Sequence, residues 1–112
     1  ARFPRLGRMR FDSADVPRLV AQGTFFGTVL HEIGHVIGIG ARWREIGGLL
    51  SNEGTDDPRY IGQSGLRGYE IMGGNQDTIS AENVGGAGTR EAHWRTSEFG
   101  DELMTGFLTG PN

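Results

Sequence analysis

The sequence predicts a small α+β domain with one long helix, a short edge strand, and a long glycine-rich loop region leading to a C-terminal turn. Three observations carry that expectation. Apolar residues recur at helical spacing over one stretch, residues 24–38. A short strand-like segment precedes it, Arg8 to Phe11. Glycine fills 20 of 112 positions, against a usual share of about 7%, and eleven of the 20 lie between Gly47 and Gly88.

The length fits a single domain over residues 1–112, and the absence of internal repeats and linkers agrees. With no cysteine, disulfides, cysteine-based zinc fingers, iron–sulfur clusters and thiol catalysis are excluded. The net charge is −3, and all eleven basic residues are arginine. Arg2, Arg5, Arg8, Arg10 and Arg18 crowd the start, but prolines and acids interrupt them in an acidic chain, which argues against a nucleic-acid-binding arm. No apolar run approaches the roughly 20 residues of a membrane span. The chain opens at Ala1 without a signal-peptide pattern, which suggests a processed or trimmed product.

Taken in order, residues 1–22 read as an arginine-rich lead-in around the strand, followed by a turn at Asp12 to Asp15. Phe26, Val29, Leu30, Ile33, Val36 and Ile37 then mark the helix, with Thr24 as N-cap and Gly38 and Gly40 as its stop. Residues 41–50 allow a short helical turn. Residues 51–90 are almost all turn formers, broken by groups such as Ile71-Met72. The end, Ser97 to Leu108, regains apolar character.

Chemistry concentrates on the helix. His31-Glu32-Ile33-Gly34-His35 is a His-Glu-x-x-His pattern. Residues four apart project from one side of a helix, so both imidazoles can reach one metal ion. At about 100° per residue, the histidines fall opposite the apolar face, so they are not core histidines. Gly27, Gly34 and Gly38 flank them. Glycine inside a helix costs up to about 1 kcal/mol relative to alanine, so these positions are expected to admit a close approach of another backbone segment.

Catalytic zinc usually takes three protein ligands and leaves one position open. Gly38 extends the motif to His-Glu-x-x-His-x-x-Gly, but Ala41 stands where a compact site has its third histidine. His93 is the one histidine left. His93-Trp94 and Glu102-Leu103-Met104-Thr105-Gly106 resemble the delayed third ligand and Met-turn of the leishmanolysin family, a metzincin group. The stretches 7–15, 38–40 and 85–90 are similar to its bacterial members.

The resemblance implies a zincin/metzincin-like catalytic domain, in truncated or minimal form, in a secreted or extracellular protein. It implies one zinc ion on His31, His35 and His93, with Glu32 as general base and Met104 as a supporting methionine. The activity implied is endopeptidase hydrolysis through a zinc-activated water, with a protein or peptide as substrate. Trp94 is expected to pack rather than touch substrate, and Arg8 to Phe11 to offer an edge to an extended substrate.

Two alternatives stand beside this. Gly54-Thr55-Asp56-Asp57-Pro58-Arg59-Tyr60 resembles the aspzincin signature, which would make Asp57 the third ligand. A non-catalytic, zinc-stabilised binding module is the other. In either case zinc is the staple that a short cysteine-free chain would otherwise lack.

Overall fold

The computed structural model describes residues 4–107. Among them are five helices and a three-stranded antiparallel sheet, arranged in the order ααα-ββ-α-β-α. Two helices come first, α1 (Asp15–Ala21) and α2 (Phe25–Val36). Both end in the same way. Gly23 (φ 73°) closes α1 by placing Thr24 N–H on Leu19 O at 3.0 Å, and Gly38 (φ 111°) closes α2 by placing Ile39 N–H on Gly34 O at 3.0 Å. These are six-to-one bonds that need a left-handed residue, which glycine supplies without strain.

The helix expected over residues 24–38 is therefore present, but Thr24 does not cap it through its side chain. The Thr24 hydroxyl donates to Leu19 O instead. The Asp12 turn is also present, with Ala14 N–H on Asp12 Oδ1 at 2.9 Å. It opens α1, a helix that the lead-in reading did not contain.

The rest of the chain holds α3 (Trp43–Ile46), β1 (Leu50–Ser51), β2 (Arg59–Tyr60), α4 (Gln63–Ile71), β3 (Ile79–Ser80) and α5 (Thr96–Phe99). The sheet runs β1-β2-β3, with Leu50 opposite Tyr60 and Tyr60 opposite Ile79. Past β3 the pairing continues through single bridges: Ala81 with Trp94, antiparallel, and Trp94 with Thr105, parallel. The hydrophobic core lies here. Trp43, Leu50, Tyr60, Ile79 and Ala81 form it, with Ile39, Leu66, Tyr69, Trp94 and Phe99 packed around it. Trp94 packs as expected, its ring 4.5 Å from that of Trp43 and 5.2 Å from that of Tyr60.

Three expectations need correction. Arg8 to Phe11 is not a strand. Its side of the chain lies along α2, where a Cβ on Gly7 would strike Val36 and the Phe11 ring stands 5.7 Å from that of Phe25. A helix has already used its backbone donors and acceptors, so chain laid on it has no ladder to join. The glycine-rich stretch is not one long loop either, because it contains the whole sheet and α4. Finally, the apolar face of α2 is not its buried face. Phe26 is 72% exposed and Ile37 58%, while the residues α2 buries are Gly27 and Gly34. The helical turn within 41–50 is α3, and of the segment Ser97 to Leu108 only α5 is helical, with Leu108 outside the described residues. No helix among the described residues is long and apolar enough to cross a membrane.

Candidate metal centre

His31 and His35 stand one turn apart on α2. The abrupt end of that helix does more than stop it, because it delivers the Ile39 carbonyl to His35 Nδ1 at 2.8 Å. Gly40 (φ 77°) then lets the chain pass against the ligand segment, where a Cβ would lie 1.8 Å from Ala92 O. The close approach of backbone expected at Gly34 and Gly38 is found instead at Gly40, while a Cβ on Gly38 would meet only Arg42, 3.8 Å away. At Gly34 the visitor is a side chain, since a Cβ there would meet Met104 Sδ at 2.3 Å. Glycine on α2 makes room for the thioether, and Met104 is almost fully buried.

His93 arrives from the other end of the chain. The segment carrying it is fixed on two sides: Glu82 N–H donates to His93 O at 2.8 Å, and Trp94 N–H donates to Met104 O at 2.9 Å. The 83–91 loop is closed by Glu91 N–H on Glu82 O at 2.8 Å, and its Thr89 carbonyl lies 3.0 Å from His93 Nδ1. In the following turn, Glu102 accepts Met104 N–H at 2.7 Å through its carboxylate and Thr105 O–H at 2.7 Å through its carbonyl. That turn aims Leu103 O at His31 Nδ1, 2.8 Å away.

Each Nδ1 thus faces a carbonyl oxygen, which can only accept. The ring proton belongs on Nδ1, and each neutral imidazole keeps its lone pair on Nε2. The three Nε2 atoms converge, with every pair 3.0 Å apart. Three lone pairs pointed at one another repel unless a cation lies among them. The set is compact enough for one ion to touch all three at the roughly 2.0–2.1 Å of a metal–imidazole bond. Carbonyl acceptors behind each ring are what orients and strengthens histidine ligands. Burial pushes the His93 pKa below its ordinary 6.5, helped by the nearby His35 and His31 and opposed by the Thr89 carbonyl. The neutral, ligating form is thereby favoured.

The structure thus gathers His31, His35 and His93 into a group able to hold a metal ion. Asp57 is elsewhere. Its carboxylate takes Arg95 Nη2 at 2.8 Å and Arg59 Nη1 at 3.4 Å. The hydrogen bond from Arg95 holds the Asp57 pKa below its usual value against an opposing desolvation, with the charge and hydrogen bond of Arg59 adding to the lowering. Glu32 sits half-buried beside His31, and its side chain enters no hydrogen bond or ion pair among the described residues.

Sequence reasoning missed the frame behind the imidazoles. Ile39, Thr89 and Leu103 contribute carbonyls, which any residue type carries, so no signal marked them. Glu82, 1% exposed, is a second omission. Its Oε2 accepts Thr96 N–H at 2.9 Å and Thr96 O–H at 2.7 Å, and its Oε1 accepts Asn83 N–H at 3.0 Å. Desolvation pulls its pKa up, but these donors outweigh it and leave the carboxyl below its ordinary 4.5. Comparison of the chain with models of protein families, with curated proteins and with solved structures gave no match.

Proposed function

We propose that this chain is a zinc-dependent endopeptidase of the metzincin kind, similar to bacterial leishmanolysins, acting on protein or peptide substrates outside the cell. One observation carries the reading: three imidazole Nε2 atoms meet at 3.0 Å, each ring held from behind by a backbone carbonyl. Three imidazoles suit zinc, and three protein ligands are the number that leaves a position open for chemistry. A bound zinc ion would supply Lewis acidity to polarise a scissile carbonyl.

The remaining work falls to this chain's own side chains. Glu32 follows a ligand directly and projects about 100° from it around the helix, close to the reaction but outside the ligand set. Its carboxylate is the general base that takes a proton from the attacking water and returns it to the departing amine. Met104 supports the ligands from beneath by filling the space that Gly34 leaves. His35 and His31 remain in register because Ile39 O and Leu103 O fix their rings.

The test is hydrolysis of casein or a quenched peptide by the zinc-loaded chain, with and without a chelator. Glu32→Ala is expected to lose about 10²–10⁴-fold in rate while keeping one zinc per chain. Metal bound at His31, His35 and His93 with no hydrolysis of any peptide would instead favour a zinc-stabilised binding module.

A further inference from the structure

The connection between β1 and β2 is an exposed turn, residues 52–57. Water commonly serves the polar groups of such a turn. Here side chains of residues 83–95, the segment that carries His93, take that place. Glu91 Oε1 accepts Gly54 N–H at 2.5 Å, and Arg90 Nη2 donates to Thr55 O. Asn83 Nδ2 donates to Asp56 O at 2.9 Å, and Arg95 Nη2 donates to Asp57 Oδ1 at 2.8 Å. Four consecutive residues of the turn are each held by one residue of the His93 segment.

Two of those holding residues stand just before His93. Arg90 is forked: its Nη1 donates to Asn83 O at 2.5 Å, so one guanidinium ties the start of the 83–91 loop to the turn. A planar guanidinium with fixed donors spans two acceptors in this way, whereas a lysine ammonium is a single point. Glu91 is 2% exposed. A buried carboxylate needs its charge met. Gly54 N–H meets one oxygen, and Arg44 Nε stands 3.5 Å from the other. Glu91 also holds φ 62°, in the left-handed region that glutamate rarely adopts. Such strain persists only where surrounding contacts over-determine it. At Glu91 those contacts are its two side-chain partners and its own N–H bond to Glu82 O.

The strained residue lies inside the loop that orients the third imidazole. The Thr89 carbonyl faces His93 Nδ1 at 3.0 Å, and the chain between that carbonyl and that ring runs through Arg90, Glu91 and Ala92. The backbone angles of Glu91 therefore set where the carbonyl stands relative to the ring. His31 and His35 have a helix to fix their spacing. His93 comes from a loop, so its geometry has to be imposed from outside.

We propose that Arg90 and Glu91 are positioning residues for His93, and that the 54–57 turn, which holds none of the three histidines, fixes the orientation of that imidazole through them. This rests on the metal centre of the reading above and not on hydrolysis, so its test needs no turnover. The full chain is compared with Glu91→Gly, Glu91→Gln, Arg90→Ala and Gly47→Ala. Glycine accepts φ 62° without strain while removing the carboxylate, so Glu91→Gly separates orientation from folding. It also carries the test where Arg90→Ala does not fold.

Zinc affinity is read by competition with a chromophoric chelator, and the ligand field by the visible absorption of the cobalt(II)-loaded chain. Glu91→Gly and Arg90→Ala should each bind zinc about tenfold more weakly or worse, the range for groups that orient a metal-binding side chain. Their cobalt absorption should weaken as well. Glu91→Gln, whose amide oxygen still accepts Gly54 N–H, should recover most of the loss. Gly47→Ala, which meets nothing within 4 Å, should keep both values. Unchanged affinity and spectrum in Glu91→Gly, or a loss that Gly47→Ala shares, overturns the proposal.

A second readout needs no metal. Long-range heteronuclear NMR at a single pH reports which ring nitrogen of His93 carries the proton. The Nδ1–H form should dominate in the unsubstituted chain and lose its dominance in Glu91→Gly. That result supports the positioning role even if the zinc-loaded chain cuts no peptide, an outcome that would count against the peptidase reading alone. The same His93 tautomer in both chains overturns the proposal.

Discussion

The regions before and after Gly38 solve the problem of holding together in opposite ways. The later one owns the core: Trp43, Leu50, Tyr60, Ile79 and Ala81 are buried around a sheet of two-residue strands. The earlier one buries Leu19 as its one large apolar side chain among the described residues. Its helix α2 turns Phe26 and Ile37 outward and meets the later region through glycines and histidines. The difference teaches that burial of apolar area, about 25 cal/mol per Å², organises one region but not the junction. The junction includes two ring-to-carbonyl contacts, His31 with Leu103 O and His35 with Ile39 O, the meeting of their Nε2 atoms with that of His93, and the Met104 thioether against Gly34. A metal ion bridging His31 and His35 to His93 would join the two regions directly.

Removing the metal should break this comparison most visibly. A ligand held at 1,000 times its Kd contributes about 4 kcal/mol, so chelation is expected to lower Tm by more than about 10 °C. Hydrogen exchange should show α2 amides losing protection first, while β1 to β3 keep theirs until global unfolding. Equal loss in both regions would mean that the core, and not the ion, holds α2.

A smaller effect separates glycines that admit a neighbour from glycines that only turn. Gly40→Ala places a Cβ 1.8 Å from Ala92 O at φ 77°, whereas Gly47→Ala, at φ 70°, meets nothing within 4 Å. Both carry left-handed strain of about 1–2 kcal/mol, and Gly40→Ala should lose a further 1–3 kcal/mol, about the cost of overpacking. Denaturant melts compare stability, and zinc titration should show weakened affinity for Gly40→Ala alone.

The smallest effect depends on pH. The Glu82 carboxyl sits below its ordinary 4.5 in the folded chain, so its stabilising contribution is complete above that value and is lost as pH falls through the folded one. Glu82→Gln should therefore be less stable at neutral pH by about 1–2 kcal/mol, the size of a charge-assisted bond partly replaced. The gap from the unsubstituted chain should narrow as pH falls below 4.5 and close once it has passed through the lowered folded value. A gap unchanged down to pH 3 would mean that side-chain shape, not charge, fixes this corner.

How much of this was legible in the sequence follows from the range of each interaction. Helix α2 announced itself because Phe26, Leu30, Ile33 and Ile37 repeat every three or four residues, and Gly38 marked its end. His31 and His35 were legible for the same local reason. The sheet was not, because two residues per strand are too few to show an alternation. Nor was α4, where Leu66 and Tyr69 are the residues turned to the core and two glycines dilute the pattern. His93 could be named only through family resemblance and by being the last histidine, since 58 residues separate it from His35.

The sequence by itself determined which side chains can ligate, which helix carries the first two, and where that helix stops, because these depend on contacts within a few residues along the chain. The tertiary structure alone decided which face of α2 is buried, and that Met104 rather than backbone fills the space at Gly34. It alone set three carbonyls behind the imidazoles and brought His93, not Asp57, to them. Those outcomes depend on bridges between Ala81, Trp94 and Thr105 that no local pattern encodes. A hydrophobic stripe states that a surface could be covered, but only the packed chain settles whether anything covers it.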